Sequence, residues 1–396
     1  MQTEKQAPAA KGSPVELVRG LLDGIRERAD RTEKERCVPA ETVAEFKETG
    51  LSRAFQAKRY GGMEWTPADF YSAVIEVAQV CPSTGWVLGV LAVHPFQFAQ
   101  FPVEAQDELF GEDINTIVSS SYAPTGKAVR APGGYRLSGR WSFSSACDHA
   151  SWVVLGAIPS GEGTTRVEQK IFLVAPGDWR IDDDWFVMGL SGTGSKSIIV
   201  EDAFVPEHRT LGWVECCFGL GPGLAVNPGA LFRVPFMSVF GACLVVPAIG
   251  AAKGAYAEFA RQAKDRVRAM DRRPATEDPY LQLRLADAEA EINGAERRVL
   301  SDFREEMERV EAGEKIPFED RARYRWHQIH AIDSSAKAVE RLFAMAGGRV
   351  IYYKNPIQRF YRDILAARQH TANTRDTMAS LMAQGALGLD AAEFLA

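Results

Sequence analysis

The chain has 396 residues, of which 46% are hydrophobic and 25% are charged, and its formal net charge is −6. A chain of this length can bury a large core and suggests two or three packed units. The acidic balance, together with the lack of any basic run, argues against a nucleic-acid partner.

The N-terminal residues and the cysteines favour a cytoplasmic protein. Residues 1–13 are polar, without the apolar core of a signal peptide, and are expected to form a loose arm. No stretch of about eighteen apolar residues occurs in the sequence, so we expect no membrane partner. The six cysteines show no CxxC pair and no ligand spacing, so we expect reduced, mostly buried thiols.

The first third of the chain predicts helices. Apolar residues recur on one face of residues 15–32, and shorter helical segments follow at 42–48 and 67–79. Residues 81–101 are almost free of charge, and a helix without a polar face should be buried. His94 lies in this segment, either as a core histidine bonded to a backbone carbonyl or as a donor aimed into a cavity.

Between residues 115 and 205 the pattern changes to short alternating runs separated by Gly and Pro, which predicts a β unit with turns at 132–134 and 160–163. Ser144 and Ser145 follow one run, and we expect both to face whatever lies over the sheet. Hydroxyls on a rigid strand are suited to a flat polar ligand, because each offers one donor and two lone pairs. The expected strands cover residues 116–121, 135–143, 151–157, 170–174 and 197–204.

After a glycine-rich connection at 218–229, the chain predicts packed helices. Residues 237–259 are apolar and small, which is typical of a central helix, and 261–273 should continue it as a basic end. Near-heptad apolar spacing over 281–310 and 329–346 indicates an antiparallel bundle. The sequence therefore predicts an α+β fold with an N-terminal α-helical domain (1–113), a middle β-sheet domain (114–213) and a C-terminal helical bundle (214–396).

Three common kinds of site are disfavoured by spacing. A di-iron site needs a Glu three residues before a His, and none of the six histidines has one, so we expect no metal and place His327 and His330 at a surface or interface. Ser144, Ser145, Asp148 and His149 are too close in sequence for a hydrolase triad, and no GxSxG elbow occurs. The glycines of residues 189–195 lead into a strand instead of a helix, so this loop is either a structural turn or a polar turn that touches a cofactor.

Several motifs together resemble the acyl-CoA dehydrogenase superfamily. They are Gly-Arg-Trp-Ser-Phe-Ser-Ser at 139–145, the loop 189–195 with Val-Glu-Asp-Ala-Phe-Val-Pro at 200–206, and Gln-Arg-Phe-Tyr-Arg-Asp at 358–363. Residues 119–124 and 367–373 resemble, within it, the oxygenase components of two-component flavin-dependent aromatic monooxygenases. That family includes hydroxylases of phenolic seco-steroids, of 4-hydroxyphenylacetate and of an indolosesquiterpene. The likeness covers nearly the whole chain after the N-terminal arm.

The resemblance implies an N-terminal helical domain, a middle β-domain and a C-terminal four-helix bundle, assembled as a homotetramer with flavin between them. It implies reduced flavin, FADH2 or FMNH2, delivered by a separate NAD(P)H:flavin reductase. With O2 as co-substrate, a C4a-hydroperoxyflavin would then hydroxylate a small aromatic substrate, either a phenol or an indole.

The resemblance also implies roles for particular residues. Ser145 is similar to the hydroxyl that bonds flavin N5, His370 to the histidine over the reacting edge of the flavin, and His94 with Ser120 to the pair that meets the polar group of the substrate. The further residues that the resemblance places at the cofactor are Phe143, Ser121, Arg266, Gly347 and Gly348.

One departure separates oxygenase from dehydrogenase chemistry. Acyl-CoA dehydrogenases use a Glu eight residues after the Arg-Asp pair as the base, and here that position is Thr371. The alternative base position, within residues 237–243, also has no Asp or Glu. Without a base the dehydrogenase reaction cannot start, so oxygen chemistry is favoured. A monooxygenase acting on sulfur or nitrogen, an acyl-CoA dehydrogenase-like flavoprotein and a non-catalytic binding scaffold stay open.

Overall fold

The computed structural model describes residues 12–160 and 168–389. Most of the predicted N-terminal arm and most of the predicted turn at 160–163 lie outside the described residues. The described part of the chain starts with six α-helices, of which the sixth, at residues 103–110, was not predicted. The helices before the sheet are α1 (Pro14–Arg19), α2 (Leu22–Glu35), α3 (Ala40–Glu48), α4 (Pro67–Ala78), α5 (Pro82–Phe98) and α6 (Val103–Phe110).

The prediction of one helix over residues 15–32 was wrong, because the chain breaks between α1 and α2. Gly20 stands at the break, and glycine is about 1 kcal/mol less favourable than alanine inside a helix. The prediction for 81–101 is confirmed in substance, since all 17 residues of α5 are buried. This helix carries Trp86 and His94 into the centre of the molecule.

The β strands form one mixed sheet. They are β1 (Val118–Ala131), β2 (Gly134–Ser144), β3 (Trp152–Pro159), β4 (Lys170–Val174), β5 (Arg180–Asp182), β6 (Lys196–Pro206) and β7 (Thr210–Gly212). Their order in the sheet is β5-β6-β2-β1-β3-β4-β7. Strands β1 and β3 run parallel, with Ser120 paired to Val154, and every other recorded pair is antiparallel.

The far end of β2 is irregular, and this irregularity positions the site. The pairing of β2 with β6 shifts register between Trp141 and Ser144. Phe143 has a φ of 67° and Ala146 a φ of 61°, which are left-handed conformations that cost energy for residues other than glycine. The chain therefore turns sharply around Ser145 instead of continuing as a flat strand.

Helices return after the sheet. They are α7 (Trp213–Cys217), α8 (Phe236–Lys264), α9 (Pro279–Glu311), α10 (Phe318–Met345), α11 (Pro356–Ala367) and α12 (Arg375–Leu387). The helix predicted to continue over 261–273 stops at Lys264. The next residues form a turn instead, in which Val267 bridges Pro274 and the Arg268 N–H donates to the carbonyl of Arg273 at 2.9 Å. Helices α11 and α12 were not predicted as elements.

Helix α8 is the centre of the helical part and packs against α4, α5, α9, α10 and α11. Within the described residues it is the one helix long and apolar enough to cross a membrane, and 89% of its apolar window is buried inside the protein. Packing against five neighbouring helices accounts for this apolar surface. The described cysteines are free thiols, and all except Cys37 are buried, as predicted.

Candidate active site

Ser145 and Ser144, which were expected to share one environment, do not. Ser144 is fully buried and donates its hydroxyl proton to Ser119 Oγ at 2.9 Å. Ser145 lies just past the end of β2, is half-buried, and accepts a hydrogen bond from the indole Nε1–H of Trp86 at 3.1 Å. The expectation that both hydroxyls face a ligand was therefore wrong for Ser144, because successive side chains along a strand point to opposite faces.

A row of hydroxyls extends from Ser145 into the loop 189–195. Ser145 Oγ lies 2.7 Å from Ser195 Oγ, which lies 2.7 Å from Thr193 Oγ1. The Thr193 hydroxyl donates to the carbonyl oxygen of Leu190 at 2.8 Å. The loop is thus a tight turn that also contacts the predicted site. Sequence reasoning named the loop but not Thr193 or Ser195.

Helix α11 holds this loop in place. The backbone N–H of Leu190 donates to Asp363 Oδ1 at 2.6 Å, and Arg362 donates to the carbonyl of Met188. A Cβ at Gly189 would lie 2.2 Å from the carbonyl oxygen of Arg362, so only glycine allows this approach. Burial raises the pKa of the Asp363 carboxyl to about 7. The motif at 358–363 therefore anchors the loop that carries the hydroxyl row.

His370 packs against the same tryptophan. Its ring centre lies 6.1 Å from that of Trp86 and 6.1 Å from that of Phe240. The backbone N–H of Ala372 donates to His370 Nδ1 at 3.1 Å, so a neutral ring carries its proton on Nε2. Burial, with the nearby Arg325 guanidinium, lowers the pKa of His370 to about 4. At neutral pH the side chain is thus a neutral donor.

Arg325, which sequence reasoning missed, supports that arrangement. Its guanidinium is almost fully buried and donates to the carbonyl oxygen of Ala372 at 2.8 Å. Arg325 therefore holds the segment that caps His370. An arginine among many in a helical sequence gives no signal of this contact.

The substrate pair predicted from the sequence is in contact. His94 Nε2 lies 2.9 Å from Ser120 Oγ, and His94 is 1% exposed. Burial lowers the pKa of His94 to about 4, an effect that the backbone of Val118 partly offsets. The two alternatives for His94 were a backbone carbonyl partner and a cavity; the ring meets the Ser120 hydroxyl on β1, and the backbone of Val118 also interacts with it. The ring is neutral at neutral pH.

Aromatic side chains join the two halves of the site. The ring of Phe240, which packs on His370, lies 5.3 Å from that of Tyr122, and Tyr122 lies 5.2 Å from Trp213. The Tyr122 hydroxyl donates to Gln97 Oε1 at 2.8 Å. The aromatic contacts therefore run without interruption from His370 to Trp213.

The remaining residues predicted at the cofactor fall in two places. Phe143, next to Ser145, is 68% exposed and meets the Trp185 ring edge-on at 5.9 Å, while Ser121 donates to the carbonyl of Ser142 at 2.7 Å. Arg266 donates to the carbonyl of Met345 at 2.5 Å and lies 3.7 Å from the Cβ position of Gly347. Arg266 and the Gly347-Gly348 pair therefore meet where the ends of α8 and α10 come together.

Glu306 is an acidic group that sequence reasoning also missed. It is fully buried, and the Ser238 hydroxyl lies 2.7 and 2.9 Å from its two carboxyl oxygens. Burial raises its pKa to about 8. Its helix carries many glutamates, so nothing in the sequence marks this one. Within the described ranges, no three His, Cys, Asp or Glu side chains gather as a metal site would require.

We expect Glu306→Gln to make the protein more stable at alkaline pH. The folded pKa, about 8, lies above the usual value of 4.5, so the carboxyl stabilises the fold below pH 4.5 and this contribution is lost as the pH rises to 8. The glutamine cannot ionise. The free energy of unfolding of the variant, relative to that of wild type, should therefore rise by about 2 kcal/mol or more when the pH is raised from 5 to 9. Urea unfolding at both pH values measures this difference. The half-exposed neighbour Glu305 is the control, and an equal gain in Glu305→Gln would contradict the assignment.

Comparison with known proteins places the chain among flavoenzymes. Residues 16–111 match the acyl-CoA dehydrogenase N-terminal domain and residues 242–375 the acyl-CoA dehydrogenase C-terminal domain. The chain is 38% identical to the flavin-dependent monooxygenase oxygenase subunit HsaA of Rhodococcus jostii (strain RHA1) over 93% of this chain and 97% of that protein.

Two further comparisons agree with that similarity. The chain is 34% identical to the FADH(2)-dependent resorcinol hydroxylase oxygenase component of Rhizobium sp. (strain MTP-10005), over 94% of this chain and 93% of that protein. The crystal structure of the HsaA monooxygenase from M. tuberculosis superposes with a TM-score of 0.91 at 36% identity, covering 97% of this chain and 99% of that one.

Proposed function

The chain belongs to the acyl-CoA dehydrogenase superfamily and, within it, to the oxygenase components of two-component flavin-dependent monooxygenases, and from this premise we propose which of its residues perform the reaction. The protein is an enzyme that uses reduced flavin and O2 to hydroxylate an aromatic substrate. Its reduced flavin comes from a separate reductase.

Ser145, with the row of hydroxyls behind it, fits the N5 edge of a flavin. Its oxygen is half-buried, is held by the Trp86 indole, and keeps one lone pair for a ligand. Phe143 supplies an exposed ring beside it, and Ser121 is fixed next to the same turn. When bound, the reduced flavin supplies the electrons that activate O2 and lets one oxygen atom pass to the substrate.

The observation that carries the proposal is the convergence of Ser145 and His370 on Trp86. Ser145 Oγ would accept a hydrogen bond from the N5–H of a reduced flavin and so keep that proton in place. His370 Nε2–H would donate a hydrogen bond to an oxygen species at this site, and the Ala372 N–H keeps the tautomer that allows it. The packed rings of Phe240 and Tyr122 would keep water away from the flavin and so limit the release of hydrogen peroxide.

His94 and Ser120 hold the polar group of the substrate. A neutral histidine bonded to a hydroxyl can accept a proton partially from a phenol O–H or an indole N–H, and this raises the electron density of the ring. Such a ring attacks an electrophilic oxygen more readily. The pair thus favours a phenolic or indolic substrate over sulfur or nitrogen compounds.

We further propose how the chain is organised and assembled. Arg266 with Gly347 and Gly348 would contact the distant part of a flavin in a homotetramer, and the flavin would be FADH2 or FMNH2.

Residues 1–113, 114–213 and 214–396 would be the three structural units. The cytoplasm suits a protein with free thiols and no expected membrane partner.

Mixing the protein anaerobically with FADH2, and then with oxygenated buffer, tests the function. In the presence of resorcinol, 4-hydroxyphenylacetate or indole-3-acetate, we expect a hydroxylated product and little hydrogen peroxide with at least one of the three. Free FADH2 without protein should give peroxide alone. A tightly bound oxidised flavin that dehydrogenates an acyl-CoA, or an oxygenated sulfur or amine compound as the sole product from a wider panel, would contradict the proposal.

A further inference from the structure

Four oxygen atoms form a row that ends at the proposed flavin site. They belong to Ser145, Ser195, Thr193 and the backbone carbonyl of Leu190, and the three successive distances are 2.7, 2.7 and 2.8 Å. Ser195 and Thr193 are buried, with 5% and 2% exposure. All three gaps are hydrogen-bond distances between oxygens.

We infer that Ser195 and Thr193 are positioning residues that turn the Ser145 hydroxyl inward, so that Ser145 offers a lone pair and not a proton to the flavin. This inference rests on the proposed function and deepens it. The three hydroxyls supply three protons, one for each of the three gaps between successive oxygen atoms. The carbonyl of Leu190 can only accept, so every gap is filled only when Ser145 donates to Ser195, Ser195 to Thr193, and Thr193 to Leu190.

If the hydroxyls donated in the opposite direction, from Thr193 towards Ser145, the gap between Thr193 and the Leu190 carbonyl would contain no proton. Thr193 Oγ1 and the Leu190 carbonyl would then face each other at 2.8 Å with lone pairs only, which is repulsive. The gap cannot widen easily, because Asp363 holds the N–H of Leu190 at 2.6 Å and the turn itself bonds Thr193 N–H to the same carbonyl at 3.1 Å. The loop therefore fixes the direction of the row.

At the outer end, the direction decides what Ser145 can bind. One of its lone pairs accepts from Trp86 Nε1–H at 3.1 Å, its proton is used on Ser195, and one lone pair is left. Reduced flavin carries a proton on N5 and can donate to this lone pair. Oxidised flavin has only a lone pair on N5, so two acceptors would face each other. The row thus selects reduced flavin over oxidised flavin.

Anaerobic titration with oxidised FAD and with dithionite-reduced FAD tests this inference on the intact protein. The quantity measured is the dissociation constant of oxidised FAD divided by that of reduced FAD. In wild type, reduced FAD should bind more tightly. In Ser195→Ala the Ser145 hydroxyl is free to turn and donate, so the preference should fall by about tenfold, mainly because oxidised FAD binds better.

Three more variants separate direction from general damage. Thr193→Val removes the acceptor for Ser195 and should lower the ratio as well, whereas Thr193→Ser keeps the hydroxyl and should restore the wild-type ratio. Ser191→Ala is the matched control, because its hydroxyl donates to the Glu33 carbonyl in the same loop and lies outside the row. Its ratio should equal that of wild type.

The outcomes distinguish this inference from the proposed function. If wild type prefers reduced FAD and the ratio is unchanged in both Ser195→Ala and Thr193→Val, the row does not set the preference and only this inference fails. If Thr193→Ser loses the preference as fully as Thr193→Val, bulk and not the hydroxyl is responsible, and the inference fails again. If wild type binds neither form of FAD or FMN, the proposed function itself fails.

Discussion

Ser145→Ala is expected to separate oxygen consumption from hydroxylation. At saturating FADH2, the amount of product formed per flavin oxidised should fall at least about tenfold, and hydrogen peroxide should rise by the amount that the product loses. The reason is that the N5 proton loses its acceptor, and a hydrogen bond of this kind contributes about 1–2 kcal/mol. Binding of reduced flavin should weaken by no more than about tenfold, since one hydrogen bond among several is lost.

Ser144→Ala is the matched control for that experiment. Ser144 is the adjacent residue, but its hydroxyl is buried and hydrogen-bonded to Ser119, outside the row of hydroxyls. Its yield of product per flavin should match that of wild type. In Ser145→Ala the Trp86 indole loses its acceptor, so thermal unfolding should be measured to show that the variant is folded at the assay temperature. A folded Ser145→Ala protein that still hydroxylates without releasing peroxide would remove Ser145 from the proposed role.

His94→Ala is expected to impair hydroxylation while leaving the reaction of reduced flavin with oxygen intact. With the substrate that wild type accepts, kcat/KM for product formation should fall at least about tenfold, because the ring of the substrate is no longer polarised. The rate of flavin oxidation should stay within about twofold of wild type. Stopped-flow absorbance follows the flavin, and chromatography measures the product.

Ser120→Ala keeps this test decisive if the cavity left by His94→Ala destabilises the fold. His94 and Ser120 contact each other, so the double variant should lose about as much activity as either single variant, not the product of the two losses. His208→Ala serves as the control, since that histidine pairs with Glu108 at the surface. Unchanged turnover in both His94→Ala and Ser120→Ala would place the substrate elsewhere.

The two predictions depend on different parts of one site. Trp86 touches the Ser145 hydroxyl and packs on His370, while Phe240 packs on His370 and on Tyr122, beside the His94 and Ser120 pair. Peroxide release in one variant and loss of product in the other would therefore separate protection of the flavin from activation of the substrate. If the two variants behaved identically, the division of roles would be wrong.

Some features of this protein were determined by its sequence alone. The charge-free run at 81–101 predicted a buried helix that carries His94, and the change from helical to alternating periodicity predicted the order of helices, sheet and bundle. The missing acid at Thr371 and within residues 237–243 argued against a dehydrogenase. Periodicity and composition report how each element meets water, and that information is local.

The tertiary structure alone decided which of these residues act together. Trp86 and Ser145 are 59 positions apart, and Leu190 and Asp363 are 173 apart, so no spacing rule connects them. The hydroxyl row through Ser195 and Thr193, the tautomer of His370 and the burial of Glu306 likewise depend on how separate elements pack. A hydrogen bond needs atoms within about 3 Å, and only the packed backbone, with its sharp turn at Phe143, sets distances on that scale.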